Sequence, residues 1–425
     1  MGFKQFHRTI KIRIIESFLS SAIGGMIFPF MAIYLSSHFG VKMAGLLLLI
    51  NVFVGIAINF FGGYFSDSFG RKKLIVFAES LRFLAFVTMM ICNSPWFTEP
   101  LITFFMMTVN SICWGLAGPA NQAMLIDVSR PEERKSMYTI MYWANNLSIA
   151  FGGAIGGFMF REYFFELLLA LSITSLIAWT LITFFIEESY IPNKTEKKTP
   201  PQHVKQLFSN YHSVFKDKLF VLYVLAGIFV LSMEFQLTSY MSIRLSEDLS
   251  IQNLLGIEFG GIEMVGFLRT ENTILVVILA LFATKLVSNL NDRNVLITSC
   301  IVFVAGYAVI SYSNNIWFLF GAMFIATVAE VLRVPVQQNY MANLPPEHAR
   351  SSYLAVNGLT YNVANLICSL TITLSAYLSN LATSIFITGI GVAGIVIFIK
   401  IVPALDRRIH PETEAEIKTP MSITD

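Results

Sequence analysis

Six ionisable side chains fall inside long apolar runs of this sequence: Glu16, Arg82, Asp127, Glu234, Glu330 and Arg333. A charge in such surroundings is costly, so each needs a partner or a task. Glu330 stands in Ala329-Glu330-Val331-Leu332-Arg333-Val334-Pro335. Burial disfavours the charged form of a carboxyl, so an acid held among apolar side chains can take and release a proton. Arg333, three residues on and on the same helical face, offers the opposite outcome, a fixed ion pair. Glu234 has apolar neighbours and no cation within a turn, which makes it a second proton or cation site. Glu16 follows Arg13 by three residues, so it reads either as a proton site or as half of a local pair. Arg82 is placed to snorkel towards the nearer surface. None of the six histidines is central in an apolar run, which argues against a histidine proton relay. Asn145, Asn146, Gln337 and Asn357, together with Asn110, Gln122 and Asn362, offer uncharged hydrogen bonds to a bound solute.

The elements that must position these groups follow from composition. Of 425 residues, 55% are hydrophobic and only 13% charged, with a mean hydropathy of +0.65. A soluble domain carries about 25% charged residues, so the bilayer is the solvent here. A membrane helix needs roughly 20 mostly apolar residues. That rule predicts twelve helices, at 12–36, 43–66, 74–93, 99–126, 136–160, 164–187, 219–245, 270–290, 295–313, 316–341, 351–377 and 382–403. The fold class is therefore an all-α integral membrane protein of two six-helix bundles. An N-terminal bundle (1–187), a polar linker (188–218), a C-terminal bundle (219–403) and a tail (404–425) divide the chain. Ser246 to Arg269 reads as an acidic loop.

The halves repeat. Pro119 and Pro335 sit 216 residues apart, Pro131 and Pro346 sit 215 apart, and Asn291-Asp292-Arg293 is a worn copy of Gly70-Arg71-Lys72. Parallel repeats of this kind hold a solute between them near the midplane. Lysine and arginine crowd one side of the helices, leaving Lys42, Arg161, Arg244 and Arg269 on the other. By the positive-inside rule both termini and the linker are cytoplasmic and the chain is a multi-pass cell-membrane protein. The first apolar run lacks a small-residue cleavage site and reads as a retained helix. The four cysteines stand alone among apolar residues, without metal-ligand spacing, and read as packing residues. No metal, no cofactor other than a proton gradient, and no nucleic-acid partner are expected. The net charge of +2 gives no polyanion footprint. A soluble enzyme is excluded by composition, and no nucleotide-binding loop is present.

Between the second and third predicted helices lies Gly63-Tyr64-Phe65-Ser66-Asp67-Ser68-Phe69-Gly70-Arg71-Lys72-Lys73, a stretch that must turn sharply at one membrane face. Its spacing of Gly63, Asp67, Gly70, Arg71 and Lys72 resembles the loop between helices 2 and 3 of the major facilitator superfamily, with Ser68 where that family usually carries Arg. Asp67 is expected near the start of the eleventh helix, at its positive dipole end, and Arg71 near Asp127. Together they would form a latch that gates the cytoplasmic side. Gly152-Gly153-Ala154-Ile155-Gly156-Gly157 resembles the helix 5 signature of facilitator antiporters, with Gly153 in place of Pro; small residues so spaced let helix backbones touch. Met124 to Lys135, Tyr142 to Ser148 and Glu330 to Gln337 are similar to the proton-coupled multidrug exporters of the LmrP type.

That resemblance implies a proton-coupled antiporter that exports amphiphilic small molecules by alternating access, as a monomer in contact with membrane lipids. It implies that Asp67 and Asp127 act as proton switches and that Glu330 lies in the ligand pocket of the C-terminal half. The alternative is a proton symporter importing a small nutrient such as a sugar or peptide. A membrane sensor without transport is the third possibility, disfavoured by the intact motif and the repeat. Three positions depart from the exporters: Met141 and Gln236 stand where acids are expected, and Arg333 adds a cation near Glu330.

Overall fold

A computed structural model of the protein describes residues 6–189, 212, 214–254, 256–287, 290–346 and 350–409. Most of the predicted linker and the tail beyond Ile409 lie outside the described residues, as does the side chain of Asp67.

Among the described residues twelve helical spans run back and forth, α1 to α12. The first six are α1 (Arg8–Phe39), α2 (Val41–Phe69), α3 (Arg71–Ile91), α4 (Pro100–Val128), α5 (Pro131–Met159) and α6 (Phe164–Phe185). The second six are α7 (Lys218–Asp248), α8 (Gly261–Val287), α9 (Asp292–Tyr312), α10 (Ile316–Asn343), α11 (350–375) and α12 (Asn380–Ile409). Nine are long and apolar enough over their described residues to cross a bilayer. α1 and α7 are each interrupted by one 3-10 turn, at Phe28–Phe30 and Gln236–Thr238. These interruptions hold corresponding places in the two halves. Two short hairpins cap the end opposite the termini: β1 (Asn93–Ser94) with β2 (Phe97–Thr98), and β3 (Gln252–Leu254) with β4 (Ile257–Phe259).

The repeat seen in the sequence is a repeat in packing. Within the first six helices the close pairs are α1–α5, α1–α6, α2–α4, α3–α4 and α3–α6. Adding six to each label gives the close pairs of the second six: α7–α11, α7–α12, α8–α10, α9–α10 and α9–α12. The halves meet through α5–α8 and α2–α11, which exchange under the same operation.

Two boundaries differ from expectation. The turn predicted over Gly63 to Lys73 is concentrated in one residue: α2 continues through Gly63 to Phe69, α3 starts at Arg71, and Gly70 alone turns the chain at φ 96°. A side chain is strained at that φ, whereas glycine is not. α8 begins at Gly261, nine residues before its predicted start, so the acidic loop is mostly a hairpin and the first nine residues of that helix. Glu263 starts that helix by accepting the Gly260 N–H at 2.7 Å, a capping role that its charge had hidden.

The glycines of α5 serve two partners at once. A Cβ on Gly152 or Gly156 would lie 2.7 Å or 2.6 Å from the α1 backbone at Gly25 or Met26. On the adjoining face, Gly153 and Gly157 meet α8 at Arg269, Glu263 and Gly266. One pair therefore packs the first half and the other joins the two halves.

Candidate functional site

Between the halves lies a cavity of about 530 Å³. Asn51, Asn59, Asn110 and Gln122 face it from α2 and α4, and Asn362 and Asn365 from α11. Of these, Asn110, Gln122 and Asn362 were expected. The α2 asparagines were missed because that helix reads as a plain apolar span. Phe28, Met31, Met107 and Trp114 supply apolar wall. At the end opposite the termini the halves are in contact: Gly45 of α2 abuts Ser369 and Thr373 of α11, and Thr270 of α8 donates a hydrogen bond to the Ala150 carbonyl of α5 at 3.1 Å.

In the second half, α10 carries Glu330 and Arg333 into the bundle, but they do not pair. Asn272 Nδ2 of α8 donates to Glu330 Oε2 at 2.9 Å and to Thr327 Oγ1 at 3.0 Å. Arg333 instead donates to Gln337 Oε1 at 2.8 Å, and its guanidinium lies over the Phe303 ring at 4.8 Å. The expected alternative of a fixed Glu330–Arg333 pair is corrected by this geometry. One turn of separation permits the pair, but an aromatic face and an amide oxygen draw the guanidinium the other way. Glu234 of α7 is within electrostatic reach of Glu330, Arg333 and Arg269. Arg269, assigned from sequence to an outer loop, is inside α8, and its Cβ faces Gly153. Arg269 was missed because the predicted α8 started too late; Asn272, inside the predicted span, was missed because an uncharged amide among apolar residues drew no attention. Arg244 is likewise buried, donating to the carbonyls of Ile310, Tyr312 and Ser313 and to Asn314 Oδ1.

The first half holds a second buried set, already paired. Arg13 and Glu16 on α1 lie 2.8 Å apart. Arg82 on α3 does not snorkel: it contacts Glu79 Oε1 at 2.6 Å, sits 5.1 Å from the Trp114 ring centre, and is only 8% exposed. Glu79, three residues before Arg82, is the sequence signal that was overlooked. The first half thus buries two acids and two arginines, and each Glu has an Arg three residues away on its own helix. In the second half, Glu234, Glu330, Arg269 and Arg333 form no ion pair among the described residues.

At the termini-bearing end, Arg71 forms an ion pair with Asp127 of α4, as expected. Ser189 donates to Asp127 at 3.0 Å, and Glu188 accepts the Lys72 N–H at 3.0 Å, capping α3. In the worn copy of the second half an amide takes the place of the cation, with Asn339 of α10 donating to Asp292 at 3.1 Å. Of the remaining residues expected at the site, Asn145 lines a separate recess in the first half, Asn146 lies beside it in sequence on α5, and Asn357 lines neither cavity.

The family model of the Major Facilitator Superfamily matches residues 15–268 and 249–423. The chain belongs to the major facilitator superfamily. This facilitator is 32% identical over 388 residues to a Na(+), Li(+), K(+)/H(+) antiporter of Planococcus maritimus, covering 89% of this chain and 92% of the relative. It is 22% identical over 338 residues to multidrug resistance protein MdtH of Salmonella typhimurium (strain LT2), covering 79% of this chain and 78% of that one. Its fold is similar to a crystal structure of a POT family transporter in complex with 5-aminolevulinic acid, with a TM-score of 0.73, 14% identity and 96% and 98% of the two chains covered. The nucleoside transporter NupG gives 0.69 at 13% identity, over 93% and 99%. The protein is a membrane transporter and not an enzyme.

Proposed function

We propose that this facilitator is a proton-coupled antiporter that exchanges protons for a small monovalent cation across the cell membrane, with its termini in the cytoplasm. The observation that carries the reading is Glu330. Its carboxyl is held by a neutral amide rather than by the arginine one turn away, so it can change protonation without leaving a broken ion pair. Glu234 nearby supplies a second carboxyl. The amide-rich cavity offers oxygen ligands to a cation that sheds part of its water, and the Planococcus maritimus relative adds support. The cationic side of the chain, which includes both termini, supports the orientation. A second reading, export of an amphiphilic cation, is favoured by the aromatic and methionine wall of the same cavity and by the multidrug relative.

Proteoliposomes carrying an internal pH dye test both. Under an imposed proton gradient, sodium, potassium or lithium chloride is expected to collapse the gradient, and Glu330→Gln to abolish that collapse. A response to a lipophilic dye cation alone supports the second reading. Proton movement in the same direction as the solute establishes symport, and no proton movement with any solute overturns the proposal.

A further inference from the structure

The recess beside the central cavity has chemistry of its own. It measures about 310 Å³ and lies among α1, α3, α4, α5 and α6, wholly inside the first half. Phe28, Asn110 and Trp114 line both spaces, so the recess adjoins the central cavity. Its wall carries four buried polar atoms with no hydrogen-bond partner: Glu79 Oε2, Asn110 Oδ1, Ser175 Oγ and Arg82 Nε. The residues that bear them are between 1% and 8% exposed. Buried polar atoms are almost always satisfied, and four around one recess, from α3, α4 and α6, mark a place built for something polar.

Charge narrows what fits. Glu79 and Arg82 neutralise each other at 2.6 Å, and Arg13 and Glu16 do the same nearby. A net cation entering the recess gains Glu79 but meets Arg82. A net anion gains Arg82 but meets Glu79. A molecule that carries both charges gains from each, because acceptors and a donor are left unsatisfied together. We propose that this recess is a second ligand site, specific for small zwitterionic solutes of amino-acid size. The ammonium group lies against the oxygens of Glu79, Asn110 and Ser175, and the carboxylate against Arg82. The Arg82–Trp114 contact holds the guanidinium in place for this. A volume of about 310 Å³ is at the lower limit for a ligand pocket, which restricts it to small molecules.

Isothermal titration of the purified full chain in nanodiscs tests this. Alanine, β-alanine and 4-aminobutyrate probe graded charge separation; ethylammonium chloride, sodium propionate and sodium chloride are the singly charged controls. Saturable binding of at least one zwitterion, and of none of the controls, is expected. Ser175→Ala, which leaves both ion pairs intact, should weaken that binding about tenfold, the loss of one hydrogen bond to a charged group. Glu79→Gln should abolish it. Glu330→Gln should leave it unchanged, which separates this site from the one proposed for proton exchange. No saturable zwitterion binding, equal binding of ethylammonium or propionate, or full affinity in both Ser175→Ala and Glu79→Gln would each overturn the proposal.

Discussion

Glu330 and Arg333 show how much a single side-chain choice decides. Were they paired, Glu330→Gln would strand a buried cation, at a cost of about 3–5 kcal/mol. Because Asn272 holds Glu330 and Gln337 holds Arg333, we expect Glu330→Gln to keep near-normal thermal stability while losing proton-driven accumulation. Solute exchange should survive. Melting curves and transport of Glu330→Gln, with and without Arg333→Gln, check this; rescue of stability in the double variant would contradict it. Asp217 is a residue-scale case outside the bilayer. Partial burial pushes its carboxyl up, but Arg408 at 2.7 Å, the Phe220 N–H and the Tyr353 hydroxyl outweigh that and hold it below the usual carboxylate range. A lowered native value means stability is present above the unfolded value and is lost as pH falls through the native one. Asp217→Ala is therefore expected to cost about 1–2 kcal/mol at neutral pH as a lost helix cap, with the difference from wild type shrinking below pH 4 in denaturation measured across pH.

At the scale of elements, the two faces of α5 separate folding from gating. A methyl at Gly156 would lie 2.6 Å from the Met26 carbonyl within the first half. Overpacking a tight backbone contact costs about 1–3 kcal/mol, so Gly156→Ala should lower thermal stability. Gly157 faces α8 across the junction of the halves. Gly157→Val should leave the first half folded and instead lengthen spin-label distances between α5 and α8 at the end opposite the termini. Arg244 clamps α7 to the end of α9 through four hydrogen bonds. Its charge and its bonds are lost together in Arg244→Ala, with an expected destabilisation above about 3 kcal/mol and no change in cation selectivity among the molecules that stay folded.

For the whole molecule, the contacts between α2 and α11 and between α5 and α8 close one end, and alternating access requires them to part. Lys42 of α2 lies 5.1 Å from the ring of Tyr377, just beyond α11, across that closure. A cysteine pair at these two positions, bridged by a reducible bifunctional methanethiosulfonate long enough to replace the Lys and Tyr side chains, should stop transport and regain it on reduction. The four native cysteines are buried and leave little background. Transport unaffected by complete cross-linking would show that this end does not open in the cycle.

Twelve spans, two repeating halves and membrane residence were legible in the sequence, because hydrocarbon demands about 20 apolar residues per crossing and that demand is local. The Gly70 turn and the Arg71–Asp127 contact followed from one motif and one helix end. Partner choice was not legible, since it depends on what other helices bring within a few ångströms. Asn272 arrives at Glu330 from α8, 58 residues away in sequence. The buried Glu79 stood beside Arg82 all along, but only packing against Trp114 showed that the arginine turns inward. The α8 start was misplaced because Glu263 and Arg269 look like loop residues until a helix cap and an inter-half contact give them partners. Spans are set by the solvent, which acts on each segment separately; pairing among buried charges is set by tertiary geometry, which no single segment contains.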